Sequence, residues 1–387
     1  MSKRMPLLAV VLMLVACTIR PSPHEVRVES PLLDGQELFG ATVPPAEEVD
    51  ILGVSPEMKA FVSANGRDIS VDWLRLKRLL SGLDKAGYLG LQYEAGQTFT
   101  AAEAFRSNAG NCLSFTNLFV ALARESRLDA QFQIVDVPPI WDSADGWVML
   151  NSHINVIVHR VRMGAPDHGG ISRDYIVDFN TPEYEGTWPR RVVSDRVAFA
   201  LFYNNRAVEA MRAGDQRSAF ANLKLAIEKS SIVASTWVNL GALYSRQHHY
   251  ESARAAYEQA LLVEPNEKSA LTNLARLHDE IGNTELAESY RNRIRRYERM
   301  NPYYHYALAD SAYKAGNYDT ALDEIGRAIS LKGDDHRFYF LQGLVQYRQG
   351  DVARARSSLA TAERVSTGDA DKKRYADKLA VLGLKNG

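Results

Sequence analysis

Cysteine is scarce. The 387-residue chain has two, Cys17 and Cys112. Charge of one sign is lacking as well: 46 Lys and Arg stand against 47 Asp and Glu, for a net charge of −1. Nothing in that balance suggests a nucleic-acid partner. The apolar run from Leu7 to Ala16 is too short to span a bilayer as a permanent helix. His248-His249 could suggest a metal, but no Cys or acidic cluster accompanies the pair, so neither a metal nor a cofactor is expected. What is present is ordinary for a packed protein. Hydrophobic residues make up 46% of the chain, and its length suggests two or more domains.

The first cysteine closes Leu14-Val15-Ala16-Cys17, behind Lys3, Arg4 and the apolar run. A charged start, a short apolar stretch and small residues before a cut make a signal peptide over 1–16. A cysteine directly after the small residues resembles the lipobox of bacterial lipoproteins; an ordinary secretory peptide cut near Ala16 is the alternative. The resemblance implies a lipid on Cys17 as the membrane attachment. Thr18 follows in place of the inner-membrane Asp, which implies a cell-envelope address on the outer membrane, facing the periplasm. Residues 17–50, with Pro21, Pro23, Pro31, Pro44 and Pro45, read as a lipid-anchored tether.

If Cys17 carries lipid, Cys112 is left without a disulfide partner in an oxidising compartment. Such a thiol calls for burial or a role. In Gly110-Asn111-Cys112 a turn feeds the cysteine into an amphipathic helix over Leu113 to Arg127. A helix N-terminus carries unpaired N–H groups and a positive dipole end, which favour the nucleophilic thiolate. The surrounding segment, 51–197, reads as α+β. Asp72 to Ala86 has helical spacing, and Thr100 with Glu103 forms a capping box. Gln131 to Val137, Val148 to Val161 and Asp174 to Phe179 read as strands. The chain order therefore places a thiol on a helix, His153 on a strand and Asp178 on the next strand. A base can take the thiol proton and an acid can orient the base. In paired antiparallel strands of the right register, which sequence alone does not establish, His153 and Asp178 would share a face, with Ile154 and Val177 on the other. His159 and His168 compete as the base, and Asp174 as the acid.

Gly110-Asn111-Cys112 followed by Thr116, Leu118, Ala121, Leu122, Arg124, Leu128 and Ala130 resembles the transglutaminase-like core of the papain-type superfamily. The resemblance spans about Tyr88 to Asn180. It implies a helix-borne Cys packed on an antiparallel sheet, and acyl transfer or hydrolysis through a thioester on Cys112, with His153 as proton shuttle and Asp178 as orienter. Two departures stand out. Asn155 takes the place where many members carry Trp, and Phe179-Asn180 follows Asp178 where many read Pro. The backbone N–H of Cys112 would serve the oxyanion hole, with Asn111, Gln92, Tyr93 and Trp141 as candidates for a second donor.

From residue 200 to 369 the chain repeats every 34 residues. Ala219, Ala253, Ala287, Ala321 and Ala355 fall in one register. Ala207, Gly241, Ala275, Ala309 and Gly343 form a second; Ala226, Ala260, Ala328 and Ala362 form a third, with Ile294 the bulky exception. Trp237, Leu240, Gly241, Tyr244, Ala253, Tyr257, Ala260 and Pro265 resemble the tetratricopeptide pattern. Five repeats start near Ala200, Ala234, Lys268, Pro302 and His336, and 370–387 reads as a capping helix and tail. Stacked helix pairs of this kind imply a docking surface for a protein or peptide partner. The basic run Arg291 to Arg296 reads as a solvated helix face. Two functions follow as expectations. One is an envelope-anchored cysteine acyl-transfer enzyme (amidase, protease or transglutaminase type); the other is an inactive scaffold or peptide-binding adaptor.

Overall fold

The computed structural model describes residues 30–66, 68–88, 92–94, 96–135, 142–144, 147–149, 153–163, 171–178 and 190–366, with a few positions between 372 and 380. The leader over 1–16, Cys17 and the tether up to residue 29 lie outside the described residues. No helix among the described residues is long and apolar enough to cross a membrane.

The N-terminal part comprises α1 (Gln36–Phe39), α2 (Pro56–Ala64), α3 (Asp72–Lys85), β1 (Gln92–Tyr93), α4 (Ala101–Ser107), β2 (Ala109–Gly110), α5 (Cys112–Glu125), β3 (Asp129–Val135), β4 (Asp142–Ala144), β5 (Trp147–Met149), β6 (His153–Met163), β7 (Ile171–Val177) and β8 (Arg190–Val193). Four strands form one antiparallel sheet in the order β7-β6-β3-β8. Period-2 alternation decides its faces. Ala130, Phe132, Ile134, Ile154, Val156, Val158 and Val177 point to one core, which α5 also enters. The helix was expected to be amphipathic, yet every residue from Leu113 to Ala123 is buried. Sheet, α2, α3 and α4 enclose it, so its polar residues Ser114, Thr116 and Asn117 are buried along with the apolar ones.

Ten helices follow as five pairs: α6 (Asp195–Arg212) with α7 (Gln216–Lys229), α8 (Ala234–Arg246) with α9 (Tyr250–Val263), α10 (Lys268–Glu280) with α11 (Thr284–Met300), α12 (Pro302–Lys314) with α13 (Tyr318–Leu331), and α14 (His336–Arg348) with α15 (Val352–Val365). The second helices start at Gln216, Tyr250, Thr284, Tyr318 and Val352, in step with the 34-residue period. The small-residue columns lie where the helices cross. Ala207, Ala219, Ala253, Ala287, Ala309, Ala321 and Ala355 are fully buried. A Cβ on Gly241 would stand 2.5 Å from the Tyr257 ring, so only hydrogen lets α8 and α9 meet. The first helix starts at Asp195, five residues before its expected beginning at Ala200. The capping helix expected over 370–387 falls mostly outside the described residues; Tyr375 within it is buried and stacks on Phe340.

Two features depart from a modular reading. Residues 30–50 pack against the repeats where a tether was expected. Leu33 and Val43 join the core of the first three helix pairs. The Leu32 carbonyl accepts from Tyr244 (2.9 Å), the Val43 carbonyl from Lys224 (3.0 Å), and Ala46 N–H donates to Ala221 O (3.0 Å). Outside α1 and a 3-10 turn over Pro31–Leu33 the segment is irregular, and its carbonyls find donors on the helices. The boundary near residue 197 is also continuous: Val197, Ala198, Phe202, Tyr203, Leu225 and Val233 share one core with α5 and the sheet.

Candidate functional site

Local chemistry fixes where α5 begins. Thr100 and Glu103 form the expected capping box at α4, and β2 leads into Gly110. That residue has φ +149, and a Cβ there would lie 2.6 Å from the Ser114 Cβ, so glycine is required. Asn111 caps α5: its Oδ1 accepts from Ser114 N–H at 3.0 Å, and its Nδ2 donates to Thr98 Oγ1 at 2.7 Å. The bond to Thr98 uses one of the two Asn111 amide hydrogens. Cys112 is then the first helical residue, a half-buried free thiol. The Thr116 hydroxyl lies 2.8 Å from Cys112 O and 3.2 Å from Ile154 O, tying the first turn of α5 to β6.

His153 opens β6 and is 6% exposed. Asp178 directly follows β7, and Val156 pairs with Val177 in the register between the two strands. That register sets His153 and Asp178 on one face, with Ile154 and Val177 turned into the core. His153 Nε2 lies 2.8 and 2.7 Å from the two Asp178 oxygens. The Cys112 side chain lies beside His153 and favours its protonated form. With Nε2 taken by the carboxylate, the other ring nitrogen is the one available to the sulfur. Burial alone would push the imidazole down, but the bond to Asp178 and the neighbouring Cys112 override it and hold the pKa at about 9. The ring is thus an imidazolium at neutral pH, between a sulfur and a carboxylate.

The competing residues are placed elsewhere or outside the description. His159 pairs with Asp174 at 3.0 Å, six residues further along β6. His168, Trp141 and the side chains of Gln92 and Tyr93 lie outside the described residues. Two residues escaped sequence reasoning as parts of this site. Asn155, fully buried, donates from Nδ2 to Asp178 Oδ2 at 2.8 Å; the period-2 step from His153 was the signal that could have found it. Thr98, also fully buried, accepts from Asn111 and lies beside Glu209 of α6. Burial lifts Glu209 above the usual carboxylate range against the lowering effect of Thr98. No local signal links residues 98 and 209. At the far end of α5, Arg124 makes a two-pronged pair with Asp195, at 2.6 and 2.8 Å.

On the repeats, Asn239, Arg246, Asn273, Arg276 and Glu280 line a groove between α8 and α10. Asn239 Nδ2 donates to Asn204 Oδ1 at 2.8 Å. Burial, then the neighbouring Arg276, holds Arg246 below the ordinary guanidinium range. The basic run is a helix face paired with acids, as expected: Arg291 bonds Asp279 and Arg295 bonds Glu288. His249 pairs with Glu37 of the N-terminal segment at 3.0 Å. No group of three or more metal-ligating side chains occurs among the described residues.

The tetratricopeptide repeat family matches residues 244–310 and 306–370. A human relative, "Protein O-mannosyl-transferase TMTC1", is 35% identical over 97 residues, covering 25% of this chain and 11% of that protein. "Tetratricopeptide repeat protein 21A" of Mus musculus is 25% identical over 141 residues, covering 36% of this chain and 11% of that one. The chain thus spans about a tenth of the length of these curated relatives. Among solved structures, MamA from Desulfovibrio magneticus RS-1 has a TM-score of 0.25 at 16% identity, covering 44% of this chain and 96% of that one. YrrB, described as a TPR protein with an unusual peptide-binding site, has a TM-score of 0.24 at 18% identity, covering 46% and 92%. The C-terminal region is a solenoid of tetratricopeptide repeats.

Proposed function

We propose that the repeats dock a protein or peptide partner and that the α+β part, a transglutaminase-like domain, carries out acyl transfer on a carboxamide of that partner. Repeats of this family support the docking half. A single observation carries the chemical half: His153 is hydrogen-bonded to Asp178 and stands beside Cys112 at the start of α5. The Cys112 thiolate attacks the carbonyl carbon, and the tetrahedral oxyanion meets the N–H groups at the start of α5. The C–N bond breaks, and the His153 imidazolium gives its proton to the leaving amine. Water or a second amine then takes the acyl group from sulfur, with neutral His153 accepting its proton. The lipid on Cys17 would place this reaction in the bacterial cell envelope, at the periplasmic face of the outer membrane.

A second reading has its own support. The tetratricopeptide family matches the repeats, and a docking solenoid supports an adaptor or scaffold whose α+β domain does no chemistry. Iodoacetamide labelling of Cys112, followed by intact mass, separates the two. An enzyme is expected to lose about tenfold or more in labelling rate at pH 7 on His153→Ala. Equal rates in wild type and His153→Ala refute the acyl-transfer reading and leave the adaptor.

A further inference from the structure

We infer that Asn155 is a positioning residue, whose side-chain amide fixes the Asp178 carboxylate against His153. The inference rests on the reading of Cys112, His153 and Asp178 as a relay. Asp178 sits just past the end of β7 with its side chain 28% exposed, so water competes for its oxygens. Asn155 is the opposite case. It is fully buried in β6, paired with Gln133 of β3, and its neighbour Val156 pairs with Val177 of β7. A carboxylate only accepts, so the amide nitrogen must face it. Nδ2 donates to Oδ2 at 2.8 Å, from a backbone held by strands on both sides.

The amide is a poor choice for packing alone. Its neighbours along β6 are Ile154, Val156, Ile157 and Val158, all buried. Asn155 Oδ1 is itself buried and has no hydrogen-bond partner among the described residues. A buried acceptor left unpaired is unfavourable, and a β-branched side chain would suit the strand better. The bond to Asp178 is what the amide gives in return.

A double-mutant cycle on the full chain tests this, with Asn155→Leu, Asp178→Asn and the pair together. Two quantities are read: the iodoacetamide rate at Cys112, and the His153 titration by NMR. Asn155→Leu is expected to slow labelling by about tenfold and to move the His153 midpoint down toward 6.5. It should add nothing once Asp178 is already Asn. Wild-type behaviour in Asn155→Leu, alongside a defective Asp178→Asn, overturns the inference while leaving the relay intact. Effects that multiply in the double variant overturn it as well. Should Asp178→Asn itself change nothing, the relay reading fails, and this inference with it. If the leucine variant does not fold, Asn155→Thr, too short to bridge to Asp178, takes its place under the same criteria.

Discussion

Replacing Asp178 with Asn removes the negative charge that faces His153 and tests the electrostatics of the site directly. Moving the imidazole from 6.5 to about 9 corresponds to roughly 3 kcal/mol of preference for the imidazolium in the folded protein. The Asp178 side chain is partly in water, and screening reduces this to on the order of 1–2 kcal/mol of stability. The pKa is raised on folding, so the protonated ring stabilises the native state fully below about 6.5, and the contribution disappears as pH rises through about 9. In Asp178→Asn the carboxylate no longer opposes burial, and the midpoint is expected below 6.5. Urea unfolding of both proteins from pH 6 to pH 9.5 should therefore show a stability gap that narrows with rising pH. NMR of the His153 ring should show the midpoint drop. A gap that stays constant across this window, or a wild-type midpoint at or below 6.5, would refute the reasoning.

Thr98→Val keeps the shape of the side chain but strands the Asn111 amide and removes the hydroxyl beside Glu209, leaving the backbone N–H in place. Urea unfolding is expected to show a loss of about 1–3 kcal/mol, and Cys112 labelling should slow because the cap of α5 loosens; an unchanged stability would sever the proposed link between cap and repeats. Gly241→Ala and Gly326→Ala form a matched pair. The first drives a Cβ to 2.5 Å from the Tyr257 ring, the second meets nothing within 4 Å. The expected results are a loss of about 1–3 kcal/mol and a gain of roughly 0.5–1 kcal/mol respectively. Stabilities in the reverse order, from the same denaturant series, would contradict close crossing as the cause of the small-residue columns.

How much of this was legible in the sequence differs by the kind of interaction. Ala219, Ala253, Ala287, Ala321 and Ala355 announced the repeats because a helix crossing tolerates only small side chains, and that constraint recurs with the chain's own period. His153 and Asp178 were legible as a pair because strand alternation is local and antiparallel pairing is common. The packing of α5 was not: Leu113 to Ala123 carry enough polar and small residues to read as amphipathic, and only the surrounding elements bury them all. Residues 30–50 read as tether because prolines signal loops. Their partners Lys224 and Tyr244 lie about two hundred residues away, and no local pattern encodes such a contact. Asn155 was visible as a departure from the transglutaminase-like pattern that the segment resembles but not as a donor, since its role depends on which atom of Asp178 it meets.

The helix α6 belongs at once to the first repeat and to the core beneath the thiol. Asp195 near its start holds Arg124, and Glu209 near its end lies beside Thr98. These anchor points are fourteen residues apart, about 21 Å along the axis. Groove and thiol are therefore parts of one frame, with a shared beam in place of a joint. The direction in which the solenoid leaves that frame is set by side-chain packing along α6. A segment held in the groove would start its path toward Cys112 from a fixed bearing. Changing the length of a linker could not retune that bearing, because the junction has none; only repacking α6 could.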